Sequence, residues 1–412
     1  MNPIIRADFP MLSRTIDGIP LVYLDSAATS LKPRAAIDAE RAYSTDFTAN
    51  VHRGTSTISE EASYHYEAAR RLVARFIGAE PACVIMTPNT SISLGMVAAG
   101  LGLTSEDTVL CSPNSHHSNL LPWMRRGTIA YVDGDPLEPL DPDVVRKAIE
   151  VHRPRVIAFG WVSNVNGAVS PAAKLCKIAR EFGVISVVDA AQAAPHLPID
   201  VKELDCDFLA FSGHKMLGPT GTGVLWGRRE ALECLEPLVI GGGTVDRVSL
   251  RDYTMKGLPS RLEPGTPNIA GAIGLGAALE YLIDLGRDQI AAHGRELSMA
   301  MRAALDGLAD ARILMAGTSG LQIPIASVVP IGWGISSDVI CRTLSDTFRV
   351  MTRSGFHCAH PLFDGQGFEQ GAVRLSAYIY NSVEEINLAA QALCEIVSVL
   401  GGRRSVTTAY PS

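Results

Sequence analysis

The chain has 412 residues, of which 47% are hydrophobic and 19% charged, with a formal net charge of −7. That length suits one large and one small domain, and the composition can bury a sizeable core. No run of one charge sign marks a nucleic-acid or membrane-surface partner, so neither is expected.

The opening stretch MNPIIRADFPML lacks the basic, apolar and small-residue succession of a secretory signal. No apolar stretch reaches the ~18 residues of a bilayer span, and a cytoplasmic location is expected. The basic pairs Arg70-Arg71, Arg125-Arg126 and Arg403-Arg404 are isolated and read as solvated surface. The eight cysteines are scattered with no Cys-x-x-Cys pair, so neither a zinc site nor a disulfide framework is expected. Most read as small buried hydrophobes.

In chain order, Val84–Thr87, Thr108–Ser112, Val156–Val162, Ile185–Asp189 and Phe208–Ser212 are β-rich or apolar runs closed by turn-forming residues, and they read as strands. Helical patterns lie between them, as in Pro171–Phe182, apolar at Ala172, Leu175, Cys176, Ile178 and Ala179. The alternation predicts an α/β fold with a largely parallel sheet. The near-continuous apolar run VISVVD suits a sheet covered on both faces.

After Gly276 the texture changes. Ala277–Leu285 and Ile290–Leu308 read as long amphipathic helices, followed by a strand near Ile323–Val329 and a helix over Ser337–Phe348. A strand near Val373–Ala377 precedes a last helix, Val383–Leu400, which Gly401 and Gly402 end before a frayed tail. This set predicts a smaller α+β domain. The expected division is a large domain over residues 21–280 and a small one built from 1–20 and 281–412.

In an open α/β sheet, ligands bind beyond the carboxyl ends of the strands. Five predicted strands deliver polar residues there: Asn89-Thr90-Ser91, His116-His117, Asn164, Asp189 with Gln192, and Ser212 with His214 and Lys215. One such residue alone is an ordinary turn former or helix cap. Five sets together outline one site.

A lone lysine belongs by default to the surface. Lys215, however, sits in FSGHKMLGPTGTG, whose glycines suit close backbone approach to a bound group. A partly desolvated lysine loses its proton more readily and attacks carbonyl carbon. Pyridoxal 5′-phosphate (PLP), an aldehyde, needs a lysine for its Schiff base, a carboxylate for its pyridine nitrogen, a flat cover for the ring and donors for its phosphate. Lys215, Asp189 and His116 meet the first three needs. Thr90 and Ser91, at a predicted helix N-terminus, meet the fourth with Ser212 and His214.

With these residues in view, the chain resembles a class V, fold-type I PLP-dependent transferase, and more narrowly a Suf-type group II cysteine desulfurase/selenocysteine lyase. The likeness runs through YLDSAATS, ANVHRGTSTIS, SHHSNLLPW, VSNVNG, VVDAAQA, EPGTPN, RSGFHCAHPL and VRLSAYIYNS. SGHK with an upstream D-x-A-Q marks class V, whereas Arg-x-Gly-x-His-Cys-Ala is specific to the desulfurase group.

The resemblance implies that Lys215 holds PLP, Asp189 binds the pyridine nitrogen and His116 stacks on the ring. It puts Gln192 and Asn164 near the ring hydroxyl and gives Thr90, Ser91, Ser212 and His214 to the phosphate. Thr266 would reach the phosphate of a neighbouring subunit, implying a homodimer with shared sites. Arg374 would clamp the substrate carboxylate, assisted by Arg353 and Asn164. L-cysteine would become L-alanine, its sulfur left as a persulfide on Cys358 for a small shuttle protein, with iron–sulfur cluster assembly as one destination. Selenocysteine is a further substrate of the family, and its C–Se bond can be cleaved without the cysteine. His116 would serve as an acid/base.

Three positions depart from the family pattern. Ile92 stands in the phosphate turn where an acid is usual, Ala190 replaces a glycine, and Phe356 replaces a frequent histidine. Phe356 is expected to add apolar surface beside the substrate. The competing reading is another class V reaction (an aminotransferase, an epimerase or a C–S lyase of specialised metabolism) in which Cys358 is incidental. His357-Cys358-x-His360 could suggest a metal site, but no second ligand cluster accompanies it and no metal is expected.

Overall fold

The computed structural model describes residues 3–317, 321–331, 333–364 and 368–400. The expected glycine stop, the tail and the pair Arg403-Arg404 lie outside the described residues.

Seven strands form the main sheet: β1 Val84–Thr87, β2 Thr108–Cys111, β3 Thr128–Tyr131, β4 Val156–Gly160, β5 Ile185–Asp189, β6 Phe208–Ser212 and β7 Gly223–Gly227. Their order is β1-β7-β6-β5-β4-β2-β3. All neighbours run parallel except β7, which is antiparallel to both β1 and β6. The central strands are buried nearly throughout, which is why their sequences are apolar rather than alternating. β3, at the edge, exposes Thr128 and Tyr131.

Neither β3 nor β7 was anticipated from the sequence. β7 is hidden by its glycines, and Gly223 has a packing reason. A Cβ there would lie 2.6 Å from the Asn89 Cα, so only glycine lets the next turn approach this closely.

Helix Ile269–Leu285 packs against both Arg34–Asp46 and Thr57–Ile77 beside the sheet. It starts at Ile269, eight residues before the expected start at Ala277, with the Asn268 side chain accepting the Gly271 N–H at 2.9 Å. Gly276 lies inside it because a Cβ there would come within 3.0 Å of the Ala69 Cβ. The glycine marks a helix–helix contact, not a boundary.

Arg70 also departs from expectation. Its side chain is only 2% exposed, and it pairs with Glu263 at 2.6 Å and Glu67 at 3.0 Å. The burial depends on Glu263, 193 residues away, which local sequence cannot reveal.

A second sheet contains β8 Ala311–Leu314, β9 Ile325–Pro330, β10 Arg353–Gly355 and β11 Ala372–Ser376, in the antiparallel order β8-β9-β11-β10. Helices Arg287–Leu305, Ser337–Phe348 and Val383–Leu400 pack with it. The N-terminal segment touches both cores: Phe9 and Leu12 join the first, whereas Val22 and Leu24 join the second. No single described helix is long and apolar enough to cross a membrane. Four of the eight cysteines are buried and Cys341 is half-buried, whereas Cys234, Cys358 and Cys394 are exposed, so only half rather than most are fully buried.

Candidate active site

A cavity of about 620 Å³ opens beyond the carboxyl ends of β1, β2, β4, β5 and β6. It gathers Thr90, Ser91, His116, Asn164, Asp189, Gln192, Ser212, His214 and Lys215 from the large sheet. Arg353, Cys358 and Arg374 enter its wall from the second sheet and its loops. The parallel register explains part of the convergence. Gly160 pairs with Asp189, and Asp189 with Ala210, so successive strand ends stand side by side.

At one end of the cavity, helix Thr90–Gly100 begins. The Asn89 side chain accepts the Ile92 N–H at 3.0 Å, which fixes the first turn. Thr90 N–H donates to Ser212 Oγ at 2.8 Å, and the Thr90 and Ser212 hydroxyls lie 2.6 Å apart. Ser91 and Ser118 hydroxyls are also 2.6 Å apart. Hydroxyls and a helix N-terminus so arranged can bind a phosphate dianion. Ile92 does not face this cavity. It lines a second one, so its departure from the family pattern leaves the phosphate turn intact.

His116 Nδ1 accepts the Ser118 N–H at 3.0 Å. Burial pushes its pKa down to about 3, and the nearby Lys215, His117 and Arg374 act in the same direction, so the ring is neutral at pH 7. His214 is lowered to about 4, first by burial and then by Lys215 and Lys32.

Asp189 is buried and accepts the Ala191 N–H at 3.0 Å. Burial raises its pKa, with Lys215 opposing that shift. Lys215 makes no hydrogen bond or ion pair among the described residues. Burial lowers it to about 8, against the opposing charge of Asp189. Gln192 donates to the Ala27 carbonyl at 2.7 Å.

The guanidinium of Arg374, 3% exposed, donates to Asn164 O at 3.0 Å and to Asp25 Oδ1 at 3.5 Å. Its Nε has no partner. Arg353 donates to the same Asp25 carboxylate at 3.1–3.2 Å. Asp25, which the sequence reading did not single out, therefore holds both cations. The available signal was an acid inside YLDSAATS. Asn164 is already committed in part: its Nδ2–H donates to the His357 carbonyl at 2.7 Å.

Thr266 is not in this cavity. It lines the second, of about 520 Å³, with Asn50, His52, Arg53 and Lys256. Phe356 does not line the first cavity either, contrary to expectation. It packs under the Cys358 loop, with its ring 5.5 Å from Phe363. Ala190 is fully buried in the core.

These residues fit PLP on the donor set itself. The cavity offers a lysine free of partners, a buried carboxylate, a neutral flat imidazole and a hydroxyl-lined helix start, while the Nε of a buried arginine remains unmet. Its volume is that of a cofactor-sized site. The fold and the site define a PLP-dependent enzyme of α/β architecture.

The aminotransferase class V family model matches residues 22–388, and the chain belongs to that family, whose cofactor is PLP. A probable cysteine desulfurase of Halalkalibacterium halodurans is 42% identical, over 94% of this chain and 96% of that protein. One from Aeropyrum pernix is 39% identical, over 96% of this chain and 97% of its own length. Among solved structures, apo cysteine desulfurase from Thermococcus onnurineus superposes with TM-score 0.90 at 38% identity, covering 97% of this chain and 99% of that one. The S-sulfonic acid form of an Escherichia coli cysteine desulfurase gives 0.86 at 34% identity, with 97% and 99% covered.

Proposed function

We propose that the protein is an L-cysteine desulfurase that releases L-alanine and holds the sulfur as a persulfide on Cys358. The observation that carries this reading is Cys358 itself. It is an exposed thiol in the wall of the cavity that also holds Lys215 and Arg374.

Bound PLP supplies an electron sink that makes the α-proton acidic and loosens the bond to sulfur. Lys215 would anchor the aldehyde, Asp189 would keep the pyridine nitrogen protonated, and His116 would cover the ring. Gln192 and Asn164 would serve the ring hydroxyl, and Thr90, Ser91, Ser212 and His214 would bind the phosphate. Arg374, in the cavity wall, would take the substrate carboxylate, while Asp25 and the Asn164 carbonyl keep its guanidinium in place.

Lys215, whose pKa burial lowers to about 8 in the protein alone, would be the base that removes the α-proton. The Cys358 thiolate attacks the substrate sulfur. An S–S bond forms and the C–S bond breaks with its electron pair left on carbon. That carbon then takes a proton, for which Lys215 and His116 are the acids at hand. Neutral His116 offers a proton only from its Nε2.

We propose a large domain over 21–280 and a small domain of 1–20 with 281–412, the latter carrying Cys358 and Arg374. We also propose a homodimer, with Thr266 serving the neighbour's phosphate. Its placement outside its own chain's first cavity supports this. A carrier thiol stays free in a reducing compartment, so we place the enzyme in the cytoplasm, passing sulfur to a small shuttle protein. Iron–sulfur cluster assembly is one destination, and selenocysteine is a second substrate that the same site would admit.

Cys358→Ala is expected to cut alanine formation from L-cysteine by at least about 100-fold. A variant with full activity would turn the reading to a class V reaction in which Cys358 is a bystander.

A further inference from the structure

Cys358 sits in backbone that side chains avoid. His357 has φ 50° and Cys358 φ 57°, two successive left-handed residues, neither of them glycine. Such a turn persists only when its surroundings hold it. Two bonds from the large sheet's loops do so: Asn164 Nδ2–H reaches the His357 carbonyl at 2.7 Å, and His117 N–H reaches the Cys358 carbonyl at 2.8 Å.

A third restraint lies just beyond the thiol. His360 Nδ1 is 3.1 Å from His117 Nε2, and the His360 backbone N–H points at the same nitrogen from 3.4 Å. The two imidazoles stack with centroids 4.9 Å apart and planes 22° apart. The Phe356 ring also lies against His360, at 4.6 Å. Phe356, His360 and His117 therefore form a row of rings that straddles Cys358 and ties its loop to the loop after β2.

Resting on the reading of Cys358 as sulfur carrier, we infer that His360 is a positioning residue for it: the His117–His360 stack fixes where the Cys358 thiol stands at the cavity mouth. His360 touches neither the cavity nor the reacting atoms, since it is absent from the cavity wall. Its role is to keep the loop from relaxing into ordinary backbone, which would carry the sulfur away from the substrate.

The test is the rate of iodoacetamide alkylation at Cys358 in the PLP-loaded protein, mapped by peptide mass. Exposed Cys234 and Cys394 serve as internal references. His360→Ala is expected to speed Cys358 alkylation about fivefold, the worth of one net hydrogen bond. His360→Phe, which keeps the stacking and loses the ring nitrogens, should fall between it and the parent. The references should not change. In parallel, kcat for alanine release should fall while KM holds, because Arg374 is untouched.

Two results would overturn the proposal. One is an unchanged Cys358 rate in His360→Ala, and the other is an equal rise at all three thiols, the mark of a merely structural role. If the parent protein makes no alanine from cysteine, the desulfurase reading fails, and the alkylation order still decides whether His360 positions the loop.

Discussion

Lys215 and Asp189 stand on adjacent strand ends with burial pulling them in opposite directions. Burial lowers the lysine to about 8 and raises the carboxylate. A lowered lysine pKa means that the amine is neutral above pH 8, where an ordinary lysine would still be charged up to 10.5. Capture of the PLP aldehyde by the unloaded protein should therefore accelerate as pH rises, with its midpoint near pH 8 and a plateau above it. Stopped-flow absorbance during reconstitution measures this, and a midpoint above pH 10 would contradict it. Every site residue named from sequence lines the cavity except Thr266; those from the large sheet stand at or just past strand ends that the pattern reveals, whereas Arg353, Cys358 and Arg374 were legible only through the family motifs. Asp25 was not legible in this way. It meets Arg374 only through folding, across 349 positions of chain. Phe356 was misjudged for a related reason: the sequence places it beside Cys358, but which side of the loop its ring occupies depends on Phe363 and His360.

Helix Thr57–Ile77 and strand β1 are joined to the EPGTPN loop by one buried arginine. Arg70 donates to Glu263 at 2.6 Å and 2.9 Å and to the Val84 carbonyl at 2.7 Å. Glu263 Oε1 also accepts the Met86 N–H at 2.6 Å. Removing the cation leaves a half-satisfied carboxylate in the interior, and such losses cost about 3–5 kcal/mol. Arg70→Leu should lower the urea midpoint of unfolding by a corresponding amount, and an unmoved midpoint would refute the role given to the pair. At this scale the apolar strands were readable because a doubly covered sheet needs continuous hydrophobicity. The antiparallel β7 was not, because its sequence is shaped by close approach to Asn89. Likewise, the helix starting at Ile269 was cut short in the sequence reading by a glycine that packing, not termination, requires.

Among the described residues, a run of exposed apolar side chains reaches the second cavity, whose wall includes Leu238 and Val239. Leu238, Val239 and Ile240 are 46–53% exposed, and the hairpin of Val245–Val248 and Tyr253–Met255 carries Val248 at 65% and a fully exposed Leu250. Clustered apolar exposure of this kind marks an interface, and Thr266 lies in the same cavity. The homodimer proposed above would use this surface, so Leu250→Asp combined with Val248→Asp should lower the mass seen by light scattering towards that of the monomer. An unchanged dimer would place the interface elsewhere. Such a surface could not be read from sequence, since isolated apolar residues on loops are ordinary until their neighbours are known. The central claim, that one molecule of cysteine leaves its sulfur on Cys358, is open to direct measurement. PLP-loaded protein is mixed with one equivalent of L-cysteine without reductant, and the Cys358 peptide is weighed while alanine is counted. That peptide should gain one sulfur atom for each alanine released. Alanine appearing with no sulfur added to Cys358 would contradict it.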